Sequence, residues 1–314
     1  MAIILELLGG LALFLLGLDV LSQSLKALSM ETMRRFLQRC SKTLFRGIVS
    51  GTLATMLLDS SSATIILLIT FVESHVLSLT NAMGMVLGAN LGTTLSSQLI
   101  AFRIGEYAAI GLFIGVLGEL LLPNTLKRYC RALLGFSLIF YGMHLMELAV
   151  EPLRASVVLR DWMVHLETPL YGVLIGGLVT LVLQSSSATV GLAIILASQG
   201  LMSLEGGIAV MLGAEIGTCS DTLIATINKS PAAVRLGLFH LCFNLVSVLL
   251  GVLSFQYLKD ATIAFAPGAS IERMIANAHV LFNFSGVVLC AVVLVAYRQY
   301  RGWQGAQKSI LQSS

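Results

Sequence analysis

Charged side chains are scarce in this sequence. They make up 11% of the 314 residues, 57% are hydrophobic, and the mean hydropathy is +0.91. Ordinary soluble domains carry about 25% charged residues. So little polar surface cannot coat a soluble globule of this size, and the low hydrophobicity that marks disorder is missing as well. Cysteine is sparse too. Cys40, Cys130, Cys219, Cys242 and Cys290 are scattered, odd in number and without CxxC or metal-ligand spacing. That excludes a disulfide framework and leaves them as small apolar side chains. The first apolar run, 2–21, has no basic region before it and no A-x-A site after it, so it reads as a membrane helix and not as a cleaved signal peptide. There is no GxxxxGK[ST] phosphate loop, which removes the basis for ATP-driven work by this chain alone. The net charge of +3 comes from residues in loops beside apolar spans, so no nucleic-acid partner is expected.

What is abundant is apolar sequence of bilayer-spanning length. Spans are expected near 2–21, 81–101, 108–122, 132–150, 205–227, 233–257 and 276–297. The fold class is therefore an all-α polytopic membrane protein, with the lipid bilayer as its surroundings.

The chain is also written twice. Ser60-Ser61-Ser62-Ala63-Thr64 recurs as Ser185-Ser186-Ser187-Ala188-Thr189, an offset of 125 residues. Gly88-Ala89-Asn90-Leu91-Gly92-Thr93 recurs at the same offset as Gly213-Ala214-Glu215-Ile216-Gly217-Thr218, and Gly10 maps onto Gly135. One gapless register over most of the chain marks a duplicated, transporter-type unit. The expected organisation is a first repeat over 1–125, a second over 126–258, a C-terminal membrane helix over 259–297 and a short cytoplasmic tail over 298–314.

Segments 47–72 and 169–198 carry a serine triplet at their middle. As one helix, 47–72 would be about 39 Å long, more than a hydrocarbon core of about 30 Å. Successive residues of a continuous helix point about 100° apart, so one of three adjacent hydroxyls would face lipid. Irregular backbone at membrane depth is tolerated where it lines a cavity. Two re-entrant hairpins meeting near the bilayer centre are therefore expected, with a steeply tilted continuous helix as the alternative. The stretch 22–46, carrying Lys26, Arg34, Arg35, Arg39, Lys42 and Arg46, is expected as a cytoplasmic loop, whereas its counterpart 151–168 has a weak acidic excess. Equivalent loops of opposite bias imply opposite sides, hence inverted topology, with the N-terminus outside and the C-terminus inside.

The tips would present Asp59 with Ser60, Ser61, Ser62 and Thr64, and Gln184 with Ser185, Ser186, Ser187 and Thr189. Hydroxyls, a carboxylate, an amide and freed carbonyls are hard oxygen ligands suited to Na⁺. Hydroxyls and amides at helix N-termini also donate to anions. Asn90, Thr93, Glu215 and Thr218 of the glycine segments are expected on the cavity wall, the glycines allowing either local unwinding or close helix contact. Asp59 and Glu215 are ionisable at membrane depth and so are functional candidates, whereas Asp221, Glu6, Asp19, Glu119 and Glu147 fit positions near the interfaces. His240 with Asn244, and His279 with Asn283, are spaced i, i+4, so each pair shares a helix face as support for the site. An intramembrane serine protease is a poor fit: Ser285-Gly286 lies near His279, but position 283 is Asn where GxSG needs Gly, and catalysis does not explain two equal serine clusters.

With these residues the chain resembles the type II sodium/phosphate cotransporter family in its compact bacterial form. Gln184-Ser185-Ser186-Ser187 matches the family's QSSS motif, and Gly88-Ala89-Asn90-Leu91-Gly92-Thr93-Thr94 its GANIGTT-like segment. The resemblance implies phosphate and Na⁺ bound at the serine tips and alternating access across the cytoplasmic (inner) membrane, with no cofactor besides the coupling ion and room for a homodimer. On that reading phosphate would lie on Ser60, Ser61, Ser62, Thr64, Ser185, Ser186, Ser187 and Thr189, and sodium near Asp59, Gln184, Asn90, Thr93, Glu215 and Thr218. Asp59 stands where the family has Gln, and Glu215 where it has Asn; both departures bear on coupling and cargo. Another small oxyanion or a carboxylate, or outward phosphate movement, keeps the same fold. Some relatives append a PhoU-like domain; none is expected in the 17 residues that follow the last span.

Overall fold

The computed structural model describes residues 2–40, 43–102 and 105–313, and among them helix dominates and no strand occurs. Among the described residues, five helical stretches are long and apolar enough to cross a membrane: Ile3–Ala27, Asn124–Ala155, Leu204–Ile224, Pro231–Leu253 and Ile271–Ala296. Counting the bent pair Val157–Glu167 with Pro169–Leu183 as one span makes six.

Helix α1 (Ala2–Cys40) runs on well past the apolar stretch 2–21. The expected loop 22–46 is thus helical to residue 40; Lys42 lies outside the described residues. Lys, Arg, Leu, Met, Glu and Gln, which make up most of 22–40, are good helix formers, even though the charged ones among them read as loop. Two shorter helices follow, α2 (Leu44–Leu58) and α3 (Ser61–Glu73). After them come α4 (Leu79–Ile100), α5 (Gly105–Leu121) and α6 (Asn124–Val150). The second half contains α7 (Val157–Val164), α8 (Pro169–Leu183), α9 (Ser186–Ser198), α10 (Leu204–Gly217) and α11 (Cys219–Ile224). It closes with α12 (Pro231–Leu253), α13 (Phe255–Phe265) and α14 (Ile271–Ser313). The expected span 233–257 therefore stops at Leu253, and the stretch 298–313, expected as a tail, continues α14.

α2 and α3 are the two legs of a hairpin. Thr55 Oγ1 donates to Thr64 Oγ1 at 3.0 Å. In a continuous helix, nine residues would hold these side chains about 13.5 Å apart. α8 and α9 repeat the arrangement, with Thr180 Oγ1 donating to Thr189 Oγ1 at 2.7 Å.

Each first leg packs on a long helix at backbone contact. A Cβ added at Gly51 would overlap the Met85 carbonyl, and one at Gly88 the Ile48 carbonyl. At the 125-residue offset, Gly176 meets the Val210 carbonyl and Gly213 the Val173 carbonyl in the same way. Of the two roles open to the glycine segments, close contact is the one seen in α4, which stays helical through Gly88–Thr94; the helix breaks only in the second segment, at Thr218. α1 and α6 cross in an exchanged pattern: Gly10 lies against Gly142, and Gly17 against Gly135. The equivalent glycines thus trade partners, as two units related by a twofold axis do.

Candidate functional site

At the end of α2, Asp59 adopts φ 49°, ψ 33°; at the end of α8, Gln184 adopts φ 52°, ψ 31°. Left-handed backbone at a residue other than glycine costs roughly 1–2 kcal/mol, and such strain is typical of functional sites. The next residue caps the second leg. Ser60 Oγ accepts the Ala63 N–H at 3.1 Å, and Ser185 Oγ accepts the Ala188 N–H at 3.2 Å. Both hairpins therefore turn on a strained polar residue, Asp59 in one and Gln184 in the other, followed by a serine cap, with freed backbone groups between them.

The tips meet. Asp59, Ser60–Ser62, Gln184, Ser185–Ser187, Thr93 and Thr218 line one cavity of about 50 Å³, room for roughly three to five water-sized particles. Ser62 Oγ lies 3.2 Å from Thr218 Oγ1, which ties the first tip to the second half's α10. Asp59 Oδ1 accepts the Ser96 hydroxyl at 2.6 Å. On one side the tips open into a vestibule of about 400 Å³, walled by Asp19, Ser22 and Lys26 of α1 and by Asp59, Ser60 and Gln184. On the other side a cavity of about 340 Å³, with His144, Glu147 and Glu272 on its wall, stops at Ile100 and Phe140. Those two side chains are 4% and 3% exposed and also bound a small void beside Asp59.

Not every candidate lies on the cavity wall. Thr64 and Thr189 bond across their hairpins to Thr55 and Thr180. Asn90 donates to the Val86 carbonyl of its own helix at 3.0 Å. Glu215 is 2% exposed and belongs to a buried network. Its Oε1 is 2.6 Å from His279 Nε2 and 3.4 Å from Asn283 Nδ2. His279 Nδ1 in turn lies 2.6 Å from Ser97 Oγ. Asn244 Nδ2 donates to the Glu215 carbonyl at 2.7 Å and lies 3.2 Å from His240 Nε2, whose Nδ1 is 2.9 Å from Thr222 Oγ1. Both histidine–asparagine pairs thus brace α10 behind the cavity. Asp221, placed by the sequence near an interface, accepts the Ser220 hydroxyl at 3.4 Å in the short helix that follows Thr218. In the 125-residue register Asp221 occupies the position of Ser96, the partner of Asp59. Among the described residues, no cluster of His, Cys, Asp or Glu is arranged to hold a transition metal.

A multi-pass membrane protein with a small polar chamber where two helix-broken hairpins meet has the architecture of a membrane transporter. The chain belongs to the Na⁺/Pi-cotransporter family, whose model matches residues 13–148 and 154–267. It is 28% identical over 273 residues to "Uncharacterized protein YqeW" of Bacillus subtilis (strain 168), covering 86% of this chain and 88% of that one. It is 28% identical over 299 residues to "Putative inorganic phosphate export protein YjbB" of Escherichia coli (strain K12); the match covers 94% of this chain and 54%, about half, of that relative. "Sodium-dependent phosphate transport protein 2B" of Homo sapiens is 30% identical over 103 residues, 32% of this chain and 15% of that protein. No solved structure matches the chain. Neither the fold nor these relatives supports the homodimer.

Proposed function

We propose that the chain is a secondary active transporter that couples Na⁺ to the movement of inorganic phosphate across the cytoplasmic membrane, working by alternating access between two inverted repeats. The observation that carries this reading is the single chamber shared by Asp59–Ser62, Gln184–Ser187, Thr93 and Thr218. It offers oxygen ligands for a hard cation and O–H donors for an oxyanion within one small volume. Na⁺ enters first, near Asp59 and Gln184. Its charge offsets the repulsion between the carboxylate and HPO₄²⁻, which the serine hydroxyls and freed amides then hold, since neither tip carries Lys or Arg. The exchanged glycine contacts of α1 and α6 support the inverted arrangement. The basic stretch 22–46 is assigned to the cytoplasm; the vestibule beside Lys26 then faces inward, and Ile100 with Phe140 closes the outer path.

The test is radiolabelled phosphate uptake into proteoliposomes with and without a Na⁺ gradient. Gradient-driven uptake that sulfate and succinate fail to compete away is expected. Uptake indifferent to Na⁺ rejects the coupling. Outward movement is a second reading, favoured by the 94% coverage against the relative named for phosphate export; counterflow from phosphate-loaded vesicles of known protein orientation separates the two.

A further inference from the structure

We propose that Lys26 is a phosphate-binding residue of the vestibule, holding the oxyanion beside the hairpin tips before the hydroxyls of Ser60, Ser185 and Ser187 take it up. This deepens the proposed function and rests on it.

The vestibule of about 400 Å³ and the chamber share Asp59, Ser60, Gln184, Ser185 and Ser187, so what enters the one reaches the other. At the tip end the donors are hydroxyls. Ser60 Oγ and Ser185 Oγ each accept the N–H of the residue three further on, which occupies a lone pair and leaves the O–H to point elsewhere. The α1 wall is different. Ser22 has given its proton to the Leu58 carbonyl, 3.0 Å away, and Asp19 accepts the Gln23 amide at 2.7 Å. Lys26 is the donor left on that wall. Among the described residues no carboxylate forms an ion pair with its ammonium.

Ser22 also fixes where that ammonium starts from. Its bond reaches the residue before Asp59, and Lys26 follows it by one turn of α1, about 6 Å. An ammonium with three donors on a flexible stem binds phosphate as a point charge, without fixing its orientation. Such a contact collects the anion and yields it to the better-oriented hydroxyls beyond.

The duplication sets Lys26 apart from an otherwise repeated wall. Leu18, Asp19 and Ser22 occupy the positions of Met143, His144 and Glu147, and those three line the cavity of about 340 Å³ on the other side. One vestibule is therefore built twice, once on α1 and once on α6. At the position of Lys26 the α6 copy carries Glu151, the opposite charge. A bias toward basic residues on one side of the membrane explains the sign along 22–46. It does not explain why, among the described residues, Lys26 is the basic one that lines the vestibule.

The experiment titrates the thermal stability of the purified full chain with inorganic phosphate at saturating Na⁺, comparing wild type, Lys26→Gln and Lys26→Arg. Each titration is run in about 0.1 M and about 1 M choline chloride, which shortens the reach of a charge from about 10 Å to about 3 Å. In the lower salt Lys26→Gln is expected to raise the phosphate midpoint about fivefold, while Lys26→Arg follows wild type. High salt should raise the wild-type midpoint and move that of Lys26→Gln much less. A variant that is merely loosened melts early at every phosphate concentration and keeps the wild-type midpoint. Should Lys26→Gln fail to fold, Lys26→Met, which keeps an apolar stem, takes its place. A wild-type midpoint or a wild-type salt response in the neutral variant overturns this proposal and leaves the transporter reading standing. A short-chain phosphatidylglycerol serves as the second phosphate source: if its midpoint moves in Lys26→Gln and that of inorganic phosphate does not, Lys26 serves the lipid and the proposal fails. If wild type does not respond to phosphate at all, the transporter reading and this proposal fall together.

Discussion

His279 Nε2 lies 2.6 Å from Glu215 Oε1, and both side chains are almost wholly buried, at 2% and 3% exposure. A carboxylate in that position cannot stand alone, and the imidazole is the side chain that answers it. Removing one partner strands the other. His279→Ala is expected to destabilise the protein by about 3–5 kcal/mol, and Glu215→Gln in the same chain to recover more than half of that loss. Melting curves of the two single variants and the double variant give the coupling; additive losses would show that the two residues act independently.

Strain at the tips separates function from stability. Gln184 holds φ 52°, where glycine is at ease. Gln184→Gly is expected to leave the melting point unchanged or raise it, gaining about 1 kcal/mol, while transport drops at least tenfold. A variant that melts early, or one that still transports normally, contradicts the placement of Gln184 in the site.

The cap serines allow a similar separation. Losing a serine cap to alanine costs about 1 kcal/mol, but to glycine only a few tenths. Ser185→Gly should therefore fold nearly as well as wild type and bind phosphate poorly, read as phosphate-induced thermal shift. Ser185→Ala should lose both stability and binding.

Both hairpins, the meeting of their tips and the glycine-to-glycine register were legible in the sequence, because a polar triplet in oil has few places to go and the duplication repeats the signal. Three things were not. The helical reach of α1 through Arg34, Arg35 and Arg39 was hidden because basic side chains signal a water-facing loop and favour helix at the same time. Glu215 was expected to face the chamber, yet its distant partner His279, 64 residues along the chain, turns it into the scaffold. The break of the second glycine segment at Thr218 was not legible either, since the first segment, with the same glycine spacing, stays helical through Gly88–Thr94.

The helix crossings give a sharp steric test. Gly88→Ala would drive a methyl group into the Ile48 carbonyl, and Gly51→Ala one into that of Met85; overpacking of this kind costs about 1–3 kcal/mol. At Gly177 the nearest atom to an added Cβ is 3.4 Å away, and at Gly9 nothing lies within 4 Å. Gly177→Ala and Gly9→Ala should therefore elute as wild type on size exclusion, and the first two should aggregate or melt early.

At the end of α3, the Ser230 hydroxyl and, at 2.8 Å, the Ser230 N–H both interact with the Glu73 carboxylate and hold its pKa below the ordinary 4.5. A lowered folded-state pKa adds stability above the unfolded value and loses it as pH falls through the folded one. The melting point is therefore expected to drop below about pH 4.5, and Glu73→Gln to flatten that part of the curve. An identical acid limb in both proteins would show that the contact contributes nothing.

Where two backbones touch through glycine, no side chain is left to act as a slide. Leu44–Leu58 is thereby welded to Leu79–Ile100, and Pro169–Leu183 to Leu204–Gly217. Neither first leg of a hairpin can flap by itself; each must travel with its partner as a single plank. The hinge line is then the facing of one plank on the other, along the contact of Ser62 with Thr218.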